Sequence, residues 1–311
     1  MTAPRDHAWK AEAALILVIF IWGFNFPIVK FVLQVMHPHV LNAFRFVASV
    51  TVLGGLYVHG RRSLGLPLWQ PLRDHGRYIA SLGLLGFLVY QFCFIVGINL
   101  TTAGNAALIM ASSPLWTAMT GYWMRTESLS RGSWIALFVV LLGAVIIVLG
   151  GTDSVHFGSD TFVGNLIMLA AALTWGVYTA LNKPALRYVS PTGLTFLGLL
   201  FALPFLFALG IPYYNHVVWD QITWVHWTAV IYSGALSTGL AIALWNNAVN
   251  RVGASDTAVF GNLVPVVAVF SSYFMLGETI TVSQVIGGLF VIGGVLAMRR
   301  ARHPIPAPPQ G

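Results

Sequence analysis

The chain has 311 residues, of which 57% are hydrophobic and only 8% are charged. Soluble domains carry about 25% charged residues, so this composition, with a mean hydropathy of +0.79, excludes a disordered chain, a nucleic-acid-binding protein and an ordinary cytosolic enzyme. The isoelectric point is near 9.8, but the basic residues lie in short clusters between apolar runs, which indicates a membrane rather than an acidic partner.

Ten apolar runs follow one another along the chain, each close to the 20 or so residues that a membrane-spanning helix needs. They cover residues 12–33, 39–59, 77–99, 103–124, 133–151, 162–186, 191–213, 225–248, 255–276 and 281–299. The connectors are short, and the Pro-rich tail 300–311 is expected to be disordered. The sequence therefore predicts an all-α integral membrane protein with ten transmembrane helices.

The basic residues predict the orientation, because cytoplasmic loops concentrate Lys and Arg. With the N-terminus inside, the inner segments hold these basic residues: Arg5, Lys10, Arg61, Arg62, Arg73, Arg77, Arg125, Arg131, Lys183, Arg187, Arg251, Arg299, Arg300 and Arg302. The outer loops hold none. We therefore expect both termini on the cytoplasmic side of a bacterial cytoplasmic (inner) membrane.

The two halves of the chain resemble each other. Trp22 and Lys30 in the first run match Trp175 and Lys183 in the sixth, with the same spacing of eight residues. Further matches at a second constant offset pair Asn99 with Asn250, Pro114 with Pro265, Glu127 with Glu278, and Gly143 with Gly294. We therefore predict two five-helix repeats, residues 12–151 and 162–299.

An odd number of helices in each repeat inserts the second copy upside down. Inverted repeats are typical of transporters, in which the substrate site lies near the bilayer midplane between the two copies. An old duplication without a role in transport is the alternative interpretation.

Aromatic and amide side chains form stripes at helical spacing on several predicted helices. Amides are costly in hydrocarbon unless they face protein or water, so we expect these stripes to face the interior of the bundle and to line a cavity there. Interhelical hydrogen bonding and simple packing are the alternative for each single residue. The predicted cavity residues are Trp22, Asn25, Phe87, Tyr90, Gln91, Ser112, Trp175, Tyr178, Phe260 and Asn262.

Two basic residues, Lys30 and Arg45, fall inside predicted helices. We expect Lys30 to reach the outer interface and Arg45 to hold a carboxylate or a helix C-terminus, with structural pairing favoured for both. Carboxylates and histidines fall only near helix ends or in loops, which disfavours a buried proton relay. Asp256 is expected to be a helix N-cap. The sequence has no phosphate-binding motif, nucleophile elbow or Cys-based metal site, so we predict no enzyme activity, cofactor or metal.

Several short segments carry a family resemblance: residues 21–25, 44–46, 114–127, 173–176 and 265–278. Through them, residues 12–299 resemble the drug/metabolite transporter superfamily in its EamA-type branch, and look most like bacterial aromatic amino-acid exporters. The resemblance implies export of small metabolites through a central cavity between the halves. Gly198 stands where a second copy of Arg45 would fall, so the resemblance does not imply a role of Arg45 shared by both halves.

Together, these features predict a secondary transporter that exports amino acids, aromatic ones among the candidates, or similar small amphipathic metabolites by alternating access. The expected partners are a small-molecule substrate and membrane lipid, without nucleic acid, and the protein is predicted to be a monomer. A small-solute channel and an exporter of another metabolite or drug class are the alternatives. An intramembrane enzyme or receptor-like scaffold would need a catalytic pair that the sequence does not offer.

Overall fold

A computed structural model describes residues 5–125, 129–149, 159–252, 254, 257 and 260–301. All regular secondary structure in these residues is helical. The α-helices are α1 (Arg5–Val32), α2 (Pro38–Ser63), α3 (Gln70–Gly83), α4 (Tyr90–Leu100), α5 (Ala103–Met110), α6 (Ser113–Trp123), α7 (Arg131–Leu149), α8 (Asp160–Ala185), α9 (Pro191–Gly210), α10 (Trp224–Ile231), α11 (Ala241–Val252), α12 (Val264–Leu276) and α13 (Val282–Ala301). Of the predicted disordered tail 300–311, Arg300 and Ala301 instead belong to α13, and the rest lies outside the described residues. Glu127 and Asp256 also lie outside them.

Six stretches of the described chain are long and apolar enough to cross a membrane by themselves. They are Ala13–Val32, Pro38–Ser63, Gln70–Leu100, Asp160–Ala185, Pro191–His216 and Trp224–Arg251. Three further apolar helices are shorter, at Arg131–Ile147, Val264–Leu276 and Val282–Met298. The structure thus has the architecture of a multi-pass helical membrane protein.

The outer surface of the bundle is apolar. Phe274 is 78% exposed, Trp224 is 76% exposed and Ile135 is 67% exposed. Soluble monomers rarely leave large contiguous apolar surfaces in water. Side chains of this kind are suited to contact with lipid tails, in agreement with the membrane class.

Prolines and hydroxyl side chains set several helix starts. Pro38 and Pro191 occupy the first positions of α2 and α9, where a missing N–H costs nothing. Ser190 caps α9 by accepting a hydrogen bond from the backbone N of Gly193 at 3.2 Å. These caps satisfy backbone groups that would otherwise be orphaned in a low-dielectric environment.

The predicted fourth run is not one continuous helix. It is divided into α5 and α6 by a turn at Ala111 and Ser112, and Pro114 lies in the first turn of α6. Pro265 likewise lies in the first turn of α12, directly after the 3₁₀ turn Gly261–Leu263. Both prolines therefore lie at the start of a helix that follows a break. Proline is readily accommodated in a first helical turn.

Two membrane-spanning stretches contain π-helical segments. Leu84–Val89 joins α3 to α4, and Tyr232–Leu240 joins α10 to α11. The π-helical conformation is uncommon and occurs frequently at functional sites. Here each segment directly precedes a helix that lines the cavity described below.

Glycines bring helices together at pairs of matching positions. A Cβ at Gly23 would lie 2.5 Å from Cβ of Val267, and a Cβ at Gly176 would lie 2.5 Å from Cβ of Trp116. Gly176 lies 153 residues after Gly23, and Val267 lies 151 residues after Trp116. These are the two offsets that relate the two halves of the sequence, so the same contact occurs twice with the halves exchanged.

The packing of α7 against α13 follows the same rule. A Cβ at Gly143 would lie 2.7 Å from the carbonyl oxygen of Gly287, and one at Gly294 would lie 3.0 Å from that of Ala136. Both pairs of positions are related by an offset of 151 residues. Exchanged contacts of this kind are what a two-fold axis between two similar units produces.

A third exchanged pair joins the π-helical regions to α2 and α9. Gly83 packs closely against the backbone of Gly198, and Gly234 packs closely against the backbone of Arg45. Gly198 is the position that corresponds to Arg45, and Gly234 corresponds to Gly83. The backbone arrangement is therefore repeated at this position although the side chains differ.

Candidate functional site

A cavity lies where α1, α2, α4, α5, α6, α8, α11 and α12 meet. The residues that line it come from both halves of the sequence: Trp22, Asn25, Phe26, Arg45, Tyr90, Gln91, Phe94, Ala107, Met110, Ala111, Ser113, Trp175, Ser237, Thr238, Ile242, Trp245, Gly261, Val264 and Pro265. Trp22, Arg45, Tyr90, Trp175 and Ser237 lie away from the ends of the apolar stretches that are long enough to cross a membrane, so the cavity is at mid-depth in the bundle.

Four aromatic rings form one side of the cavity. The ring centroids of Trp22 and Trp175 are 5.5 Å apart, and those of Trp22 and Trp245 are 5.0 Å apart. Tyr90 lies 5.0 Å from Trp175. The indole N–H of Trp22 donates to the carbonyl oxygen of Ser237 at 3.1 Å, which fixes the orientation of that ring. We refer to Trp22, Tyr90, Trp175 and Trp245 as the aromatic wall.

Arg45 brings a positive charge to the cavity. Its side chain is only 1% exposed. One terminal nitrogen donates to Oδ1 of Asn42 at 3.1 Å and to Oε1 of Gln91 at 3.4 Å, and the other donates to Oγ1 of Thr238 at 3.0 Å. The guanidinium carbon also lies 5.8 Å from the ring centroid of Phe94. All these partners are electrically neutral.

Of the predicted cavity residues, five line this cavity: Trp22, Asn25, Tyr90, Gln91 and Trp175. They come from α1, α4 and α8, as the helical stripes predicted. Whether they contact a substrate stays a prediction.

Phe87 and Tyr178 are not among the lining residues. Both are almost completely buried, and their ring centroids are 5.6 Å apart. The hydroxyl of Tyr178 accepts a hydrogen bond from Nδ2 of Asn246, which also donates to Oγ1 of Thr195. Tyr178 therefore belongs to a packed polar network between α8, α9 and α11, and Phe87 packs against its ring.

The other predicted residues lie at the helix breaks. Ser112 is fully buried, and its hydroxyl donates to the carbonyl oxygen of Ile109. Phe260 packs against the hydrophobic core next to the lining residue Gly261. The side chain of Asn262 lies outside the described part of the structure.

Sequence reasoning did not place Trp245, Ser237, Thr238 or Ile242 in the cavity, and it favoured structural pairing for Arg45. Two of these could have been found from the repeat. Trp245 lies 151 residues after Phe94, and Ile242 lies 151 residues after Gln91. A residue that corresponds to a lining residue in the other half is itself a good candidate.

Lys30 makes structural contacts of the kind that the sequence favoured. Its ammonium group donates to the carbonyl oxygens of Ile98, Asn99 and Thr101 at 3.0, 2.8 and 2.7 Å. These carbonyls lie at the C-terminus of α4, where a cation is favoured by the helix dipole. All three donors of the ammonium group are thereby used.

Glu278 caps the next helix. Its carboxylate oxygens accept hydrogen bonds from the backbone N–H groups of Ala103 and Gly104 at 2.8 and 3.0 Å, at the N-terminus of α5. An anion is favoured there, because the first N–H groups of a helix have no internal partner. At the break between α4 and α5, a cation therefore contacts the C-terminus of α4 and an anion contacts the N-terminus of α5.

Within the described residues, no group of three His, Cys, Asp or Glu side chains could hold a metal ion. The lining residues include no acidic side chain and no histidine. The cavity is therefore equipped for apolar contact and hydrogen bonding, with a single guanidinium among its described walls.

A family model describing EamA-like transporters matches residues 9–149 and again residues 162–300. The chain belongs to the EamA-like transporter family. Members of this family, part of the drug/metabolite transporter superfamily, are membrane transporters and not enzymes. The chain is therefore a multi-pass membrane transporter.

Similar proteins span nearly the whole chain. A probable amino-acid metabolite efflux pump of Salmonella typhimurium (strain LT2) is 27% identical over 90% of this chain and 91% of its own length. A probable terminal-alkyne amino-acid exporter of Streptantibioticus cattleyicolor is 28% identical over 94% of each chain. An uncharacterized transporter of Bacillus subtilis is 26% identical over 88% of each.

A crystal structure with 19% sequence identity aligns with a TM-score of 0.66 over 94% of this chain and 98% of its own. At this identity the match supports the fold alone. It agrees with a single helical architecture that extends across nearly the whole chain.

Proposed function

We propose that this transporter exports amino acids, aromatic ones among them, or similar small amphipathic metabolites across the cytoplasmic membrane by alternating access through the central cavity. The observation that carries the proposal is the cavity itself, which is at mid-depth between the matching halves and combines the aromatic wall with a few polar groups. Large apolar area with sparse, well-placed polar atoms is typical of sites for small amphipathic molecules.

Alternating access rests on the arrangement of residues 12–151 and 162–299 as two inverted five-helix repeats, ten transmembrane helices in all. The exchanged glycine contacts support a two-fold relation between the halves. Because each half holds an odd number of predicted helices, that axis lies in the membrane plane. Rocking one half against the other would then open the cavity to each side in turn.

The names of two relatives, an amino-acid metabolite efflux pump and an amino-acid exporter, support the substrate class. The distribution of basic residues supports a protein with both termini in the cytoplasm. The side that carries Arg61, Arg62 and the other basic clusters is then the side from which substrate is exported. The protein would work as a monomer, because the cavity is formed within one chain.

Counterflow in proteoliposomes tests this function. Vesicles loaded with unlabelled phenylalanine, leucine or alanine should accumulate the labelled amino acid transiently and saturably. Uptake that is not stimulated by internal substrate would indicate a channel. Uptake equal to that of empty vesicles for every amino acid in the panel would contradict amino-acid export.

A matched pair of variants on α8 tests the cavity. Trp175→Ala removes a ring of the aromatic wall and should reduce counterflow about tenfold or more, because stacking and apolar contact are lost. Leu173→Ala, at a residue that is 40% exposed on the same helix, should leave counterflow near the wild-type rate. Equal rates for both variants at equal expression would contradict the assignment of this cavity.

A further inference from the structure

The hydrogen bonding of Arg45 is incomplete. Its Nε is buried and has no hydrogen-bond partner within the described structure. Its other nitrogens contact only neutral oxygens, those of Asn42, Gln91 and Thr238. No described lining residue carries a negative charge. A buried charge without a counter-ion is costly and is usually paired or functional.

The chemistry of the guanidinium selects its missing partner. Nε and a terminal nitrogen present two parallel N–H donors, a geometry that matches the two oxygens of a carboxylate. Because the side chain lines the cavity, a carboxylate could reach it only as part of a molecule bound there. Arg45 therefore has the position, the charge and the free donor of an anion-binding group.

Asn25 has an unpaired hydrogen-bond acceptor, whereas Arg45 has an unpaired donor. Asn25 lines the same cavity, and its Oδ1 is buried and has no hydrogen-bond partner in the described structure. An amide oxygen is an acceptor, so it suits an N–H donor of a bound molecule. The cavity thus offers an unpaired cationic donor on α2 and an unpaired acceptor on α1, with the aromatic wall beside them.

We propose that Arg45 binds the carboxylate and Asn25 the ammonium group of the transported solute, so that the site selects zwitterionic α-amino acids. This inference rests on the proposed function and makes it more specific. The aromatic wall takes the amino-acid side chain, while the two polar anchors distinguish an amino acid from an amine or an acid with the same side chain. Arg45 and Asn25 are the specificity-determining residues of the cavity.

Three compounds that share the same aromatic side chain but differ in their charged groups test the proposal on the wild-type protein. Phenylalanine has both charged groups, 3-phenylpropanoate lacks the ammonium group, and phenethylamine lacks the carboxylate. As unlabelled competitors of labelled phenylalanine counterflow, phenethylamine should be at least tenfold weaker than phenylalanine, and 3-phenylpropanoate should lie between them. Competition by phenethylamine equal to that by phenylalanine would overturn the proposal.

Two variants separate the anchors. Arg45→Gln should abolish the advantage of phenylalanine over phenethylamine, and Asn25→Leu should abolish its advantage over 3-phenylpropanoate, with the other ratio retained in each case. Arg251→Gln is the matched control, because Arg251 is exposed and bonds only to Asn247 in the described structure. It should keep both ratios at their wild-type values.

For a variant that folds but no longer transports, the same ratios can be obtained from binding. The affinity of each compound is measured by the change in intrinsic tryptophan fluorescence of monodisperse protein purified in detergent. If Arg45→Gln cannot be purified, the wild-type competition ratios decide the proposal. Unchanged ratios in a folded Arg45→Gln protein, with wild-type amino-acid counterflow intact, would overturn the role of Arg45 and leave the proposed function standing. Absence of wild-type counterflow for every amino acid would overturn both.

Discussion

Lys30 and Arg45 are both basic side chains within the first two membrane helices, but their surroundings differ. The ammonium group of Lys30 has three carbonyl partners at the end of α4. Arg45 is more deeply buried, yet it has only neutral side-chain partners and an unpaired Nε. The carbonyl oxygens of a helix terminus satisfy all three donors of the ammonium group. The hydroxyl and amide oxygens around Arg45 leave its Nε–H free to donate one more hydrogen bond. The comparison distinguishes a charge used for folding from one available for binding.

Lys30→Met should produce the largest loss of stability. It removes three hydrogen bonds from a charged donor, each typically contributing about 1.5–3 kcal/mol, and leaves helix-terminal carbonyls unpaired. Because Lys30 is only partly buried, we expect the free energy of unfolding in detergent to fall by about 3 kcal/mol. Lys183→Met, at the exposed matching position in the second half, should change it little. Equal losses for both variants would contradict the structural role of Lys30.

Glu278→Gln should have the next largest effect. One amide oxygen can still accept from the start of α5, but the negative charge that favours a helix N-terminus is lost. We expect a decrease of about 1–2 kcal/mol in the free energy of unfolding. Asp220→Asn, at an exposed position, provides the control, and a Glu278→Gln protein as stable as this control would argue against the cap.

Gln91→Glu would give Arg45 a permanent counter-ion. Oε1 of Gln91 already lies 3.4 Å from the guanidinium, so a carboxylate at this position could form the ion pair that the cavity lacks. We expect a gain in stability of about 1 kcal/mol, together with loss of competition by carboxylate-bearing solutes. A variant that still prefers phenylalanine to phenethylamine would show that Arg45 does not hold the carboxylate.

Arg45→Met should have the smallest effect on stability. Replacing a buried charge by an apolar side chain of similar size is often neutral or stabilising. We expect a change within about 1 kcal/mol in the free energy of unfolding, measured beside Lys30→Met under the same conditions. A loss as large as that for Lys30→Met would mean that Arg45 is needed to hold α2 in place.

The sequence predicted the fold class and most helix positions, because lipid requires long apolar runs that are easy to recognise. It did not predict where the run 103–124 divides. Pro114 is compatible with a kinked helix or with the start of a new one, and the structure begins a new helix at Ser113. A missing N–H is compatible with either outcome, and packing around the break decides between them.

The cavity was predicted less completely, for a reason that Trp175 and Tyr178 illustrate. Residues three apart share a helix face, so both were assigned to the cavity. A shared helix face does not show how far along the helix the cavity extends. One turn further along α8, the hydroxyl of Tyr178 accepts a hydrogen bond from Asn246 and does not line the cavity. The importance of Arg45 was also hidden, since only the three-dimensional structure shows which charges are near it.

The widened turn at Tyr232–Leu240 determines which way α11 faces. Each residue of a regular α-helix advances the chain by roughly 100° around the helix axis. A π-helical turn carries one more residue than an α-helical turn, so it changes the rotational phase of everything that follows. Removing a single residue from this segment would leave α11 helical and still apolar, but would rotate Trp245 by roughly a quarter of a turn, away from the aromatic wall.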